Sequence, residues 1–178
     1  MPEDATIVGY HATSASAAAT ILATGRIEPS TNAWDWLGHG IYFWENAPGR
    51  AWQWAVEKHP EEPAVVIASI RLGACLDLTD NRFTSAVQVA YHRLRTAFAE
   101  AKQTLPSNRG KARYLDCLVI NYVCSEILKN IETVRATFPE GEPLYTGSAF
   151  HHQSHIQVCV RTPANIVKMA LHDRGSYG

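Results

Sequence analysis

Gly38-His39-Gly40-Ile41-Tyr42-Phe43-Trp44 is the stretch on which the reading of this chain turns, and all five tryptophans, from Trp34 to Trp54, lie in it or close around it. On an extended backbone Gly40, Tyr42 and Trp44 share one face, and Ile41 and Phe43 the other. Glycine inside a strand marks the close approach of a ligand or of another backbone. Tyr42 beside it is either a stacking platform for a planar heterocycle or a core tyrosine. About thirty residues upstream stands a second string, Tyr10-His11-Ala12-Thr13. His11 closes a strand, where an imidazole can donate through one nitrogen and accept through the other. That suits a ribose hydroxyl, and it equally suits a hydrogen-bonded core histidine. Thr13 is a second polar contact on the same face or a helix-cap hydroxyl. The two strings together predict a cleft for a flat, polar ligand.

Working outward, Thr6–His11 is rich in β-branched and aromatic residues and reads as a strand. Ser14 can cap a helix to Thr24, and Gly25 ends it. Residues 26–39 carry turn formers and read as a loop. Gly40–Trp44 is a short strand, Pro48 opens a helix to Lys58, and Val65–Leu72 is apolar enough for a strand buried on both faces. The middle is helical: periodic patterns cover Phe83–Lys102 and Lys111–Leu128, broken at Pro106–Gly110. Thr133–Phe138, Ser154–Arg161 and Ile166–Leu171 complete the strands. No repeat or long linker divides the chain, so residues 1–178 are expected to form a single α+β domain.

Composition narrows the function classes. A net charge of −1 and a pI near 6.7 do not indicate a broad electrostatic grip on nucleic acid. The small basic cluster Arg109, Lys111 and Arg113 reads as a solvated helix start or as a local RNA contact. Apolar runs such as Ala64–Ile70 are too short to span a bilayer. The acidic Met-Pro-Glu-Asp start has no secretory core, so no membrane role and a cytoplasmic location are expected. Cys75, Cys117, Cys124 and Cys159 lack zinc spacing and read as buried thiols. His151, His152 and His155 have no carboxylate at ligand spacing, so no metal is expected. On Ser154–Arg161 the residues His155, Gln157, Cys159 and Arg161 face one way. A buried Gln157 needs a partner, either a backbone group or a ligand in the cleft.

These pieces resemble the ADP-ribosyltransferase superfamily, nearest to the His-Tyr-Glu branch of diphtheria-toxin-like enzymes and poly(ADP-ribose) polymerases. Tyr10–Thr13 is similar to that branch's aromatic-His-Gly-Ser/Thr motif, and Gly38–Phe43 to its Gly-x-Gly-Ile-Tyr-Phe motif. The helix Arg50–Ala55 falls where family members place one flanking the nicotinamide. Trp36–Glu45, Cys75–Asp80 and His155–Val160 are also similar to segments of a bacterial subset. Most of the helical middle has no counterpart in the better-known members. The resemblance implies a split β-sheet sandwich with inserted helices and a cleft that binds NAD in a bent form. It implies mono-ADP-ribosyl transfer with release of nicotinamide. It assigns His11, Tyr42 and Gln157 as catalytic, and His11, Ala12, Thr13, Gly40, Tyr42 and Arg50 as NAD contacts. His11 would hold a ribose hydroxyl, the Ala12 backbone would pair with the carboxamide, and Tyr42 would stack on the ring.

Two departures stand out. Ala12 replaces the family glycine and is expected to narrow the nicotinamide floor. The family glutamate of the last motif is missing: Gln157, or Ile156 in a shifted register, takes its place. Removing one charge about 4 Å from a developing cation costs roughly 4 kcal/mol at an effective dielectric near 20, on the order of a thousandfold in rate. Glu45, Glu140 and Glu142 are candidate substitutes, Glu45 reading otherwise as a solvated residue before the helix. The alternatives are a module that binds NAD or ADP-ribose without turnover, and an RNA 2′-phosphotransferase-type activity. The acceptor, protein or nucleic acid, is not legible, and a toxin-like role leaves room for an antitoxin or inhibitor partner.

Overall fold

Residues 5–176 are described by the computed structural model; the acidic start at residues 1–4 lies outside them. The chain runs β1 (Thr6–Ser14), α1 (Ala15–Thr24), β2 (Ile41–Glu45), α2 (Pro48–Lys58), β3 (Pro63–Arg71), β4 (Cys75–Asp77), α3 (Thr84–Glu100), α4 (Tyr114–Tyr122), β5 (Thr133–Phe138), β6 (His155–Val160) and β7 (Ile166–Leu171). Local chemistry sets the helix ends. The Ser14 side chain accepts from Ala17 N–H, and Gly25 closes α1 in the left-handed region. Pro48 starts α2. The helix read from Lys111 begins three residues later and runs on into a π-helical turn over Val123–Ile127.

The strands form one mixed sheet in the order β4-β5-β6-β2-β1-β3-β7, in which only β4 and β5 are parallel. The sequence reading leaves Cys75–Asp77 outside any strand. Three residues carry no alternation, and their pairing with β5 is non-local. Where the resemblance implies two small packed sheets, hydrogen bonds join all seven strands into one. The joint is narrow: β1 matches β3 along nine residues, Thr6 to Ser14, but β2 only at Gly9↔Glu45 and Tyr10↔Trp44.

Backbone geometry explains the narrowing. Val8 C=O accepts from Asn46 N–H, so strand alternation also turns the peptide groups of Tyr10 and Ala12 toward β2. Beyond Tyr10, β2 no longer answers. Its Gly40 end pairs instead with Ser30, N–H to C=O in both directions (2.8 and 3.0 Å). The loop at 30–40 therefore enters where β1 would have continued, and the sheet opens into a gap.

Three sets of buried side chains hold this frame. On one face Phe43, Val66, Ile70, Val158 and Val160 pack with Ala18 and Ile21 of α1. On the other, Ala51 and Ala55 of α2 sit on Ala12, Trp44 and Val65. Beside them, α3 and α4 cover Leu76, Val134, Ala136 and Cys159. The inserted helices thus share a face with α2.

Candidate active site

The gap between β1 and β2 leads into a cavity of about 520 Å³, within the size range of cofactor pockets. His11, Gly40, Tyr42, Arg50 and Gln157 all line it. His11 bridges the diverging strands: its Nδ1 lies 2.9 Å from Tyr42 C=O. A carbonyl only accepts, so Nδ1 carries the proton and Nε2 is left as an acceptor. Burial pulls the His11 pKa below its ordinary value, which the bond to Tyr42 only partly offsets, and the ring is neutral at pH 7.

Tyr42 is fixed from its far end. Its hydroxyl accepts from Leu37 N–H (2.8 Å) and donates to Gly38 C=O (2.5 Å). Burial first, and then the neighbouring Cys159 thiol, push its pKa far above the normal phenol value, so it stays a neutral donor. The motif's first glycine has a local cause: Gly38 sits at φ +75°, and a Cβ there would stand 2.7 Å from Asn121 Oδ1. Gly40 corrects the reading of an open ligand floor. A side chain there would meet Cys159 Sγ at 2.5 Å and Val160 C=O at 2.7 Å, so the close approach is to β6.

Strand pairing decides the β6 register. Gln157 stands opposite Trp44 and Cys159 opposite Tyr42, which puts both on the Tyr42 face. Gln157 lines the cavity and Ile156 does not. Ala12 and Thr13 depart from the expected set, since neither side chain lines the cavity. The Ala12 methyl packs beneath α2, so it does not narrow the floor, while its peptide groups turn toward the gap. Thr13 is buried on β1, and the helix cap is Ser14.

The three candidate carboxylates separate. Glu140 is in the cavity wall, with Arg50 at 2.7 Å and Lys111 at 3.2 Å. Burial alone would raise its pKa, but Lys111 and Arg50 outweigh that and lower it. Glu45 is not solvated. It is held by Arg135 at 2.6 Å, which also binds Asp77 at 3.1 Å, and Glu45 is absent from the cavity lining. Glu142 is exposed. Of the basic cluster, Lys111 is engaged with Glu140 and the Arg113 guanidinium lies over the Trp36 ring. His155 is buried, its Nδ1 donating to Gln153 C=O, and no group of three or more metal-ligating side chains occurs among the described residues. Cys117, Cys124 and Cys159 are buried thiols, and Cys75 is partly so.

Sequence reasoning missed the loop's own contribution. Ser30, Asn32, Trp34, Asp35 and Trp36 line the cavity, held by Trp36 Nε1–H to Lys111 C=O and by Arg113 N–H to Trp34 C=O. Two tryptophans inside a polar loop were the available signal. On two of the lining residues the donors Trp44 Nε1–H and Arg50 Nε–H are buried without a hydrogen-bond partner. Such groups cost about 1–3 kcal/mol each until an acceptor reaches them. The cavity offers a neutral imidazole acceptor and an aromatic ring to a ligand.

An uncharacterized protein of Methanocaldococcus jannaschii is 26% identical over 186 aligned residues, covering 92% of this chain and 86% of that protein. No protein-family model matches the chain. No solved structure matches it.

Proposed function

We propose that this chain is an ADP-ribosyltransferase-like domain that takes ADP-ribose from NAD and passes it to an acceptor, releasing nicotinamide. The observation that carries the reading is the His11–Tyr42 bridge across the parted strands, with Gln157 lining the same cavity. Breaking the nicotinamide–ribose bond develops positive charge on the ribose, so a useful site positions the sugar and withdraws the leaving group from water. His11 Nε2 accepts from a ribose hydroxyl. Tyr42, clamped at its hydroxyl, offers a ring that cannot turn away from the nicotinamide. The Ala12 peptide groups, turned to the gap, meet the carboxamide. Gln157 hydrogen-bonds a second ribose hydroxyl without adding charge.

Incubation of the protein with NAD is expected to release nicotinamide, and His11→Ala and Tyr42→Ala are each expected to lower the rate at least a hundredfold, about 2.7 kcal/mol. Release that persists in both variants would overturn the assignment. One observation favours a second reading, a module that holds NAD or ADP-ribose without turnover: the β6 side chain in the cavity is uncharged. Saturable NAD binding by calorimetry with no nicotinamide formed distinguishes it.

A further inference from the structure

A second cavity, of about 300 Å³, shares Trp36 with the first and lies between α3, α4 and the sheet. The rings of Trp36, Tyr91 and Phe138 are among its walls, and most of the remainder is aliphatic. One charged residue lines it: Asp116, in the first turn of α4. That carboxylate makes no hydrogen bond or ion pair with any other described residue. An apolar pocket with a single directing polar group is the usual make-up of a small-molecule site.

We propose that this cavity binds a small molecule with a flat apolar body and one cationic nitrogen. Aromatic walls suit a flat ring, and a carboxylate beside apolar surface favours a cation more than it would in water. An anion would be repelled by that carboxylate. The two cavities are also joined mechanically. The Leu37 side chain lines the second cavity, while its N–H holds the Tyr42 hydroxyl in the first. Occupancy therefore presses on the loop that fixes Tyr42. The inference goes beyond ADP-ribosyl transfer and does not depend on it.

The test uses the full chain without NAD, titrated in a calorimeter with tryptamine and with indole-3-propionate, which share a ring and differ in the sign of their charge. Tryptamine is expected to bind at least tenfold more tightly, a difference of about 1.4 kcal/mol. Asp116→Asn, a near-isosteric change at a partly exposed position, removes that preference and leaves the fold intact. Ala136→Leu, which fills the cavity, weakens both probes. Tryptamine also shifts the Tyr42 ring resonances in NMR spectra. Equal affinity for the two probes, an unchanged preference in Asp116→Asn, or no tryptamine binding at millimolar concentration each overturns the site. Because NAD is absent throughout, failure here leaves the ADP-ribosyl transfer reading standing, and a protein that releases no nicotinamide can still bind tryptamine.

Discussion

At the scale of the residue, Gln157 is the position where chemistry and family pattern part. It stands opposite Trp44 and lines the same cavity as His11 and Tyr42, and in the proposed reaction a carboxylate there would face developing charge on the ribose. Gln157→Glu is therefore expected to raise the rate of nicotinamide release, by up to about a thousandfold if the charge lies about 4 Å from the reacting carbon. A slower variant with an unchanged melting temperature would show that no cation develops near position 157. The placement of Gln157 was legible because the period of a strand forces every second residue onto one face. His11 and Tyr42 were legible from the two strings that carry them, an imidazole at a strand end and a tyrosine beside a strand glycine. The role of Gly40 was not: strand pattern marks a close approach but cannot say whether a ligand or the β6 backbone makes it. Nor could it show that Glu45 belongs with Arg135 and Asp77, since that pairing joins β2, β4 and β5 across the fold.

At the scale of the element, the loop before β2 is built by the helix that follows it much later. Asn121 of α4 accepts from His39 N–H (3.0 Å) and from Arg161 (3.1 Å), and Arg161 also donates to His39 C=O. These bonds hold the strand entry that presents Gly38 C=O to the Tyr42 hydroxyl. Asn121→Ala leaves His39 N–H without its acceptor and is expected to cost about 1–3 kcal/mol of stability, read by denaturant unfolding. It is also expected to lower nicotinamide release, whereas a remote surface variant on α3 would not. Unchanged stability would mean that the loop holds its shape without α4. Helical periodicity gave α3 and α4 as elements, with ends off by only a few residues. The bond from α4 to the loop was hidden because loop contacts have no period. The helical middle looked like an addition to the fold; in three dimensions Tyr42 packs against the cluster that α3 and α4 build on the sheet.

At the scale of the whole molecule, the buried titratable groups set how stability follows pH. His11 and His155 both have pKa values lowered by burial, incompletely offset by their bonds to the Tyr42 and Gln153 carbonyls. As pH falls through about 6.5 the unfolded chain takes up protons that the native chain refuses, so stability declines, by up to about 1.4 kcal/mol per pH unit for each group. Glu140, lowered on balance by Lys111 and Arg50, extends that decline into the carboxylate range, because native protein binds its proton last. Asp35 acts in the opposite sense: burial raises its pKa, so native protein gains its proton first and part of the loss at low pH is returned. The two imidazoles place the onset of that loss in the interval just below about pH 6.5. Denaturant unfolding over that interval is expected to show falling stability with a slope that flattens in His155→Phe, whose ring keeps the aromatic contacts to Trp36, Trp44 and Phe138 but takes no proton. Stability that stays level from pH 7.5 to 5 would mean that both rings reach solvent in the native state, and with them the cavity wall that His11 closes.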